Sequence, residues 1–479
     1  MPINLAEPLA WKKATADELK MLQALQGNIL KGHGREHTAN IFFSFSIDPA
    51  KRLQSRRMLR DLANYHLTSA YRQLLDNEQH KIDGKDGGPF TALALSFKGY
   101  QALGLAAKAP ADPDFRKGMK HQTSIDALND PVVAQWEPKF QEDIHGMVLA
   151  AAATESETGQ LAGTIETLIN KAGGTVVHVQ HGRALKNAAG KGIEHFGYVD
   201  GRSQPLMLHE DIEDEAMTGG TARWDPAFPL GAALVKDPGV TDPNIFGSLF
   251  VFRKLEQHVR DFKTREQEVA DILVLKGNDD RERAGAFIVG RYEDGTPITL
   301  SDHARAMEPP NDFNYEGDVA SRCPFHGHIR KVNPRGTAAA ERQHIMPRRG
   351  IPYEDLKREF NPAELPDSDD MAEFLANVAP KLPVTGVGLL FMAYNASIAQ
   401  QFRFVQHSWA NDTTFPGPGN TGIDPVIGQT ANNPGDQKLP KEWDNPAAGS
   451  VNNGSFAGFV KMKGGEYMFA PSLTFLSTL

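Results

Sequence analysis

The sequence predicts a mixed fold, of the α/β or α+β class, in which short apolar strands alternate with helices. Two observations lead to this prediction. Short apolar runs, such as NIFFSFSI at 40–47, are each followed by a segment with the spacing of apolar residues typical of a helix. The same strand-then-helix order occurs in both halves of the chain, and this repeated pattern favours an internal duplication.

The predicted elements follow one another along the chain. In the first half, strands are predicted at 40–47, 91–97 and 146–152, followed by helices at 48–77, at 98–107 and up to 172. In the second half, strands at 248–253 and 387–394 precede helices at 254–269 and 395–409. Two long segments rich in Gly, Pro, Asp or Asn, at 219–244 and 413–450, are predicted as a linker or as long loops.

The composition excludes several classes of protein. The 479 residues are 40% apolar and 23% charged, which is ordinary for a globular protein with a sizeable core. Lys and Arg number 51 against 60 Asp and Glu, and the resulting charge of −9 weighs against non-specific nucleic-acid binding. Mean hydropathy is −0.42, and no apolar run is long enough to span a bilayer. A single cysteine excludes an intrachain disulfide and a multi-cysteine metal site.

The densest group of reactive side chains is RCPFHGHIRKVNPR at 322–335. Cys323, His326 and His328 could ligate zinc, although a fourth ligand would have to come from elsewhere. Alternatively, one histidine could be the axial ligand of a haem whose propionates the nearby arginines neutralise. The segment could also be a solvated basic loop, and the residues alone leave all three interpretations open.

Two further motifs are weak alone. GYVDG at 197–201 is compatible with a simple turn, or with a carboxylate, Asp200, presented into a pocket as an acid or base. PRRGIP at 347–352 places two arginines just before a Gly-x-Pro turn, and alone it favours a surface basic pair. A carboxylate from one half of the chain and a His–Arg pair from the other could converge on one cofactor lodged between them.

Together these three segments resemble the dye-decolorising peroxidase family of haem enzymes. GYVDG is similar to its G-x-x-D-G motif, RCPFHGHIRKVNPR to the segment of its proximal histidine, and RQHIMPRRGIPY to the segment of its distal arginine. LQALQGNILKGHG and VGLLFMAYNASIAQQFRFVQHSWAND also resemble family segments. The resemblance runs in chain order from residue 25 to residue 479 and is strongest to the long-chain bacterial and fungal branch.

The resemblance implies an α+β fold made of two ferredoxin-like domains of the dimeric α/β-barrel type. An N-terminal domain at 1–218 would carry the G-x-x-D-G motif, 219–244 would be the linker, and 245–479 would be the C-terminal domain. One haem b per chain is expected between the domains, held mainly by the C-terminal one.

The resemblance also assigns roles to residues. His328 becomes the proximal iron ligand because it directly precedes Ile-Arg-Lys, and His326 is then a neighbour. Asp200 becomes the distal carboxylate. Arg348 is the expected distal guanidinium, with Arg349 as the alternative. Only one of the two is expected to reach the haem, because consecutive residues of an extended segment point to opposite faces.

Further residues are expected to contact the haem. Arg335 is the expected propionate partner, Gly201 is expected beside the distal carboxylate, and Leu389 and Phe391 should wall the distal pocket.

Two positions depart from the family pattern. Gly350 stands where compact members often have Asn, which removes a polar distal side chain. The late segment 395–411 contains no Asp or Glu to orient the proximal imidazole. A Gln, a water or a more distant residue such as Asp412 would have to replace it, or the iron would have a higher reduction potential.

The function implied is that of a haem peroxidase, which reduces hydrogen peroxide through a ferryl intermediate and oxidises dyes, phenols or other organic donors. Asp200 would move the proton and Arg348 would stabilise the developing charge, with activity that rises below pH 7. A non-catalytic haem-binding or haem-trafficking protein is the alternative, and a zinc hydrolase is the third. Large dyes would need an exposed relay, for which Trp409 and Tyr353 are candidates unless they are core residues.

The expected partners are hydrogen peroxide and small-molecule donors, with no nucleic acid and no membrane. The chain could be a monomer or a homo-oligomer. The N-terminal residues show neither a signal-peptide pattern nor a twin arginine, which favours a cytoplasmic location.

Overall fold

The computed structural model describes residues 2–305, 308, 310–336, 339–356, 360–429 and 434–479. Its strands are β1 (His37–Ser44), β2 (Phe90–Ser96), β3 (Gly146–Ala152), β4 (Thr175–Arg183), β5 (Leu185–Lys186), β6 (Gly192–Ile193), β7 (Val235–Lys236), β8 (Phe246–Gln257), β9 (Ile351–Glu354), β10 (Val387–Asn395), β11 (Lys438–Pro440), β12 (Ser450–Asn452) and β13 (Val460–Ala470).

The α-helices are α1 (Ala16–Ala24), α2 (Arg52–Tyr65), α3 (Ala70–Asp83), α4 (Phe97–Ala102), α5 (Pro113–Lys117), α6 (Gln122–Leu128), α7 (Pro138–Gln141), α8 (Glu155–Lys171), α9 (His209–Thr218), α10 (Val259–Ile272), α11 (Asn278–Val289), α12 (His328–Val332), α13 (Ala339–Arg342), α14 (Met371–Glu373), α15 (Phe402–Phe404) and α16 (Leu473–Ser477). Short 3-10 helices lie at Trp11–Lys13, Pro49–Lys51, Ala106–Lys108, Val133–Gln135, Leu230–Ala232, Pro362–Glu364, Ala379–Lys381 and Pro446–Ala448, and π-helical turns at Phe374–Val378 and Val405–Ala410.

A single nine-stranded sheet joins the two halves of the chain. Its strand order is β4-β1-β3-β2-β13-β8-β10-β9, with β7 paired to β8. In chain order, the first half contributes strands arranged 4-1-3-2, and β8, β9, β10 and β13 repeat that arrangement in the second half. This order, with antiparallel neighbours throughout, is that of two ferredoxin-like units. The predicted α+β class is therefore confirmed, and the repeat supports the duplication.

The two edge strands of the sheet, β4 and β9, approach each other. A Cβ added to Gly182 of β4 would meet Ile351 of β9 at 2.8 Å, so only glycine permits this approach. Beside it, the Arg183 guanidinium lies 3.0 Å from the Glu354 carboxylate. The sheet therefore curves so that its edges nearly meet, which protects both edges from pairing with other chains.

Helix α8 shows how the sheet is covered. Thr154 and Glu157 form a reciprocal capping box at its start, which satisfies two backbone N–H groups that the first turn leaves free. Ala162, Ile165 and Ile169 follow at helical spacing and are all buried, so this face packs on the sheet. Strand β3 beneath it is buried along its whole length.

The predicted first-half elements are largely present. The strand at 146–152 has the predicted bounds, and 40–47 and 91–97 correspond to β1 and β2. The predicted helix at 48–77 is two helices, α2 and α3, because Ser69 caps a new helix with its side chain. None of the helices within the described ranges is long and apolar enough to cross a bilayer.

Three second-half predictions are wrong in detail. Strand β8 continues to Gln257, and the helix predicted from residue 254 begins only at Val259. Strand β10 takes in Asn395, and the helical turns of that region begin at Phe402. The segment 219–244 is not only a linker, because it contributes β7 to the sheet.

The long loop predicted at 413–450 contains β11 and a 3-10 helix at Pro446–Ala448, while 430–433 lie outside the described residues. The domain boundaries at 218 and 245 stay a prediction.

Candidate active site

A cavity of about 540 Å³ lies between the two halves, a size ordinary for a cofactor site. Its lining comes from the segments 28–35, 184–204, 328–333 and 344–352, and from β8, β10 and the residues around 402–429. The predicted site residues that line it are Asp200, Gly201, His328, Arg348, Arg349, Leu389 and Phe391.

His328 begins the short helix α12, whose first turn closes when the Lys331 N–H donates to the Gly327 carbonyl at 3.0 Å. The ring Nδ1 lies 2.8 Å from Oδ2 of Asp424. A buried carboxylate accepts, so Nδ1 carries the proton and Nε2 keeps the lone pair that can bind a metal. Burial alone would lower the pKa of His328, but the Asp424 charge outweighs burial and raises it.

Asp424 is held rigidly for this contact. Its side chain is fully buried, and its Oδ1 accepts the backbone N–H groups of Val426 at 2.8 Å and Ile427 at 2.9 Å. Burial would raise the pKa of Asp424, but the His328 charge and these hydrogen bonds lower it, so the carboxylate stays ionised. The residue that reaches the ring is therefore Asp424, and the predicted substitute Asp412 lies elsewhere.

The loop that carries Asp200 is shaped by two glycines. Gly197 has φ +101° and Gly201 has φ +76°, both in the region that favours glycine. The Gly201 N–H donates to Oδ1 of Asp200 at 2.6 Å, which leaves Oδ2 for a ligand. The backbone N–H of Val199 donates to the Glu293 carbonyl at 3.1 Å, and this contact ties the loop to the second half. Asp200 is exposed at the cavity.

The two consecutive arginines have different surroundings. The Arg349 guanidinium donates to the backbone carbonyls of Asn28 at 2.7 Å, Ile29 at 2.9 Å and Arg348 at 2.7 Å. Within the described residues the Arg348 guanidinium has a single, longer hydrogen bond, 3.3 Å from the Ser203 carbonyl. Burial lowers the pKa of Arg348, and the nearby Asp200 charge acts against that shift. Arg349 thus anchors an N-terminal segment, whereas Arg348 is available to the cavity.

Arg335, the predicted propionate partner, does not line the cavity; Arg291 does. Both guanidinium groups are almost fully buried. Arg335 donates to the Asn311 and Phe313 carbonyls, and both arginines share Asn311 Oδ1 and Ser203 Oγ. Burial lowers the pKa of Arg291 to about 10 and that of Arg335 to about 9. Among the described residues, neither arginine forms an ion pair.

Two buried guanidinium groups without a carboxylate are costly unless an anion joins them. An anionic cofactor with carboxylate arms at this end of the cavity would supply that anion. Together with Nε2 of His328, which keeps its lone pair, the residues present therefore fit a haem whose carboxylate arms Arg291 would neutralise. Arg335 lies behind Arg291 and shares Asn311 Oδ1 and Ser203 Oγ with it, so its predicted role as the propionate partner is wrong.

Residues 24–184 match the family model described as the DyP dimeric alpha+beta barrel domain. Along its whole length the chain is 44% identical to the multifunctional dye peroxidase DyP2 of Amycolatopsis sp., with 100% of both proteins covered. The chain belongs to the dye-decolorising peroxidase family. A dye-decolorizing peroxidase of Mycetinis scorodonius is 30% identical over 96% of this chain and 87% of its own length.

Solved structures of the family agree with the fold. That of DyP2 from Amycolatopsis sp. has a TM-score of 0.90 at 42% identity and covers 100% of both chains. The DyP-type peroxidase AnaPX of Anabaena sp. has a TM-score of 0.88 at 37% identity, covering 99% of this chain and 98% of that one. Members of this family are haem enzymes, so the predicted family and cofactor class are confirmed.

Apolar residues line the side of the cavity that faces β10. Leu389 and Phe391 are two residues apart on that strand, so their side chains share one face, and both line the cavity. A Cβ on Gly350 would lie 3.5 Å from the Leu389 side chain, so position 350 adds no polar group to the wall. Trp409 and Tyr353 are buried, at 3% and 1% exposure, which favours their role as core residues.

The structure does not support the interpretation of Cys323, His326 and His328 as zinc ligands. Among the residues that the structure describes, no three His, Cys, Asp or Glu side chains are grouped so that they could hold a metal. Cys323 is buried, and burial raises the pKa of its thiol to about 12. Burial lowers the pKa of His326 to about 3, and its Nε2 has no hydrogen-bond partner. Both residues belong to the core behind His328.

Asp424 is the residue that sequence reasoning missed. It lies 96 residues beyond His328, in a loop whose composition gives no reason to single it out. A local signal exists in TGIDPVIG at 421–428, where Asp424 follows the buried Ile423 and precedes Pro425. An Asp before such a turn usually binds its own following backbone N–H groups.

Proposed function

We propose that this chain is a haem peroxidase, which reduces hydrogen peroxide and oxidises dyes and phenolic donors, with one haem b per chain. The observation that carries the proposal is the convergence of three groups on one cavity. Those groups are the Asp424-bound imidazole of His328, the Asp200 carboxylate and the Arg348 guanidinium. A relative solved as a complex with 2,6-dimethoxyphenol has a TM-score of 0.71 at 26% identity, covering 95% of this chain and 98% of its own, which supports a phenolic donor.

The cofactor supplies the redox chemistry, transferring oxidising equivalents from peroxide to the organic donor. His328 would hold it through Nε2, while Asp424 accepts the proton of Nδ1 and would make the ring a stronger donor. Arg291, which lines the cavity, would neutralise its carboxylate arms.

The distal groups act on peroxide itself. Asp200 accepts a proton from one peroxide oxygen at Oδ2 and returns it to the other oxygen, which leaves as water. The Arg348 guanidinium stays charged and stabilises the negative charge that develops while the O–O bond breaks. Leu389 and Phe391 give this side of the cavity a low dielectric, which strengthens both effects.

A non-catalytic haem-binding protein would need His328 but neither Asp200 nor Arg348 in the cavity. Their shared position beside His328 therefore favours the enzyme. The oligomeric state and the cytoplasmic location stay predictions.

The test is to purify the haem-loaded chain, identify and count its haem as the pyridine complex, and measure oxidation of 2,6-dimethoxyphenol and of an anthraquinone dye. We expect one haem b per chain and oxidation of both donors only when peroxide is present. Stoichiometric haem without peroxide-driven oxidation would establish the non-catalytic alternative. A chain that binds no haem would reject both.

A further inference from the structure

Lys331 is a buried cation one helical turn beyond His328. Its side chain is inaccessible to solvent, and its Nζ donates to the backbone carbonyls of Asp412 at 2.7 Å, Phe415 at 2.5 Å and Gly422 at 2.8 Å. In the described part of the chain it forms no ion pair. Three carbonyl oxygens therefore use all three hydrogens of the ammonium.

The three carbonyls belong to the two ends of one loop. Asp412 and Phe415 lie where the loop leaves the helical turns around Trp409, and Gly422 lies where it returns. The N–H groups of Thr421 and Gly422 both donate to the Thr413 carbonyl, which closes the loop. The ammonium of Lys331 thus fastens both ends of this loop to α12.

Helix α12 contacts the loop at a second point, through the side chain of His328. Gly422 stands two residues before Asp424, whose carboxylate binds Nδ1 of His328. Residues three apart share one face of a helix, so His328 and Lys331 present their side chains to the same segment. Helix α12 therefore contacts one short stretch of the loop twice, at the Gly422 carbonyl through Lys331 and at the Asp424 carboxylate through His328.

We propose that Lys331 is a positioning residue that fixes Asp424 against His328 and so sets the reduction potential of the bound haem iron. This inference rests on the proposed function, since it requires haem on His328. A carboxylate close to Nδ1 makes the imidazole a stronger donor and stabilises the oxidised metal. When the loop is no longer fastened, Asp424 withdraws, the ring becomes a weaker donor and the potential rises.

The competing explanation is that Asp424 is positioned without Lys331. Its backbone N–H donates to the Ala410 carbonyl at 2.8 Å, and its Oδ1 accepts from Val426 and Ile427. If these contacts suffice, loss of the ammonium would leave the imidazole unchanged.

The test compares haem-loaded Lys331→Met, Asp424→Asn and the double variant. Methionine keeps the length of the side chain and removes its donors. The readouts are the iron reduction potential and the iron–histidine stretching frequency of the reduced protein. We expect Lys331→Met to raise the potential by at least half as much as Asp424→Asn and to lower the stretching frequency. The double variant should match Asp424→Asn alone, because both changes act through one contact.

Lys254→Met is the matched control. Lys254 is as buried as Lys331, but its ammonium bonds the carboxylates of Glu137 and Asp355 instead of the loop that carries Asp424, so its loss should leave the potential unchanged. If Lys331→Met fails to fold, Lys331→Gln retains a donor amide and should give a smaller shift in the same direction.

An unchanged potential in a Lys331 variant that binds haem fully would overturn the inference, as would additive shifts in the double variant. Either result leaves the proposed function intact if the wild-type protein binds haem and reacts with peroxide. If the wild-type protein does neither, the proposed function itself fails.

Discussion

Nδ1 of His328 and Oδ2 of Asp424 lie 2.8 Å apart, although 96 residues separate them in the sequence. The contact joins the helix that presents the imidazole to a long loop of the second half. It also decides which ring nitrogen carries the proton, and so which one can bind iron. The protonation and orientation of the His328 ring are thus determined by a pair of residues from two distant segments.

His328→Ala should abolish stoichiometric haem binding, because the side chain supplies the proposed bond to iron. The measurement is the Soret absorbance of the purified protein after incubation with haem. His303→Ala, which removes an imidazole that is 62% exposed, should bind haem like the wild-type protein. A full Soret band in His328→Ala would contradict the ligand assignment and direct attention to His326.

Asp200→Asn should slow the reaction with peroxide by about 10²–10⁴-fold, the range typical of a lost acid–base group, while haem binding is unchanged. Stopped-flow spectroscopy of the haem-loaded protein after mixing with peroxide measures this rate. Asp302→Asn is the control, since that carboxylate is 52% exposed and pairs with His303. An undiminished rate in Asp200→Asn would remove Asp200 from the mechanism.

Arg348→Leu and Arg349→Leu should affect different properties, the first the rate of the peroxide reaction and the second the stability of the fold. Arg348→Leu should slow the peroxide reaction by about 10²–10³-fold, as expected when a group that stabilises developing charge is lost, with little change in stability. Arg349→Leu should lower the free energy of unfolding by about 3 kcal/mol, because three carbonyls lose their charged donor. Urea unfolding and stopped-flow rates separate the two, and the reverse pattern would make Arg349 the distal guanidinium.

Glu256→Gln should destabilise the protein at neutral pH but not in acid. Burial would raise the pKa of Glu256, but His258, the Gly386 N–H and Lys463 outweigh it and lower that pKa from 4.5 to about 2. A carboxyl group with a lowered folded-state pKa contributes stability that is present above pH 4.5 and is lost as the pH falls towards 2. We expect a loss of about 2 kcal/mol at pH 7 that shrinks below pH 4.5.

Urea unfolding at several pH values measures this dependence. Glu316→Gln, at an exposed position, should show no such change with pH. A loss that is equally large at pH 3 and pH 7 would mean that packing of the side chain, and not its charge, stabilises the fold.

Val274→Gly should stabilise the protein. Val274 directly follows the C-cap residue of α10 and has φ +59°, a conformation unfavourable for a β-branched residue. Its side chain is 73% exposed. The gain should be about 1 kcal/mol, measured by urea unfolding, because glycine adopts this conformation without strain. Val132→Gly, at an exposed valine with φ −57°, should be destabilising instead. A loss of stability in both variants would contradict the strain argument.

Strand β8 shows where prediction from sequence stops. The run SLFVFR predicts a buried strand, but Lys254 and Glu256 that follow resemble the polar face of a helix. In the fold both lie inside the sheet, because Lys254 pairs with Glu137 and Asp355 and Glu256 accepts from Gly386. These partners come from distant segments, and nothing within the strand itself indicates that its charges will be neutralised.

The candidate site likewise contains residues that the sequence predicts and partners that it does not. His328, Asp200 and the Arg348–Arg349 pair lie in short motifs whose residue types and order are informative. The partners of His328 and Arg348 were not predictable, because Asp424 and Ser203 contact them through the tertiary fold. The choice between Arg348 and Arg349 likewise depends on the carbonyls of Asn28 and Ile29, which the local sequence does not specify.

Strand β13 is the last strand of the sheet in chain order, yet it lies at its centre, between β2 and β8. During synthesis the first unit can therefore complete its own four strands while the outer edge of β2 still lacks its neighbour. An open edge of this kind is a site for pairing with other chains. Until Val460–Ala470 takes its place, that edge consequently stays open to pairing with other chains, and the two units can enclose a cofactor only once this strand joins them.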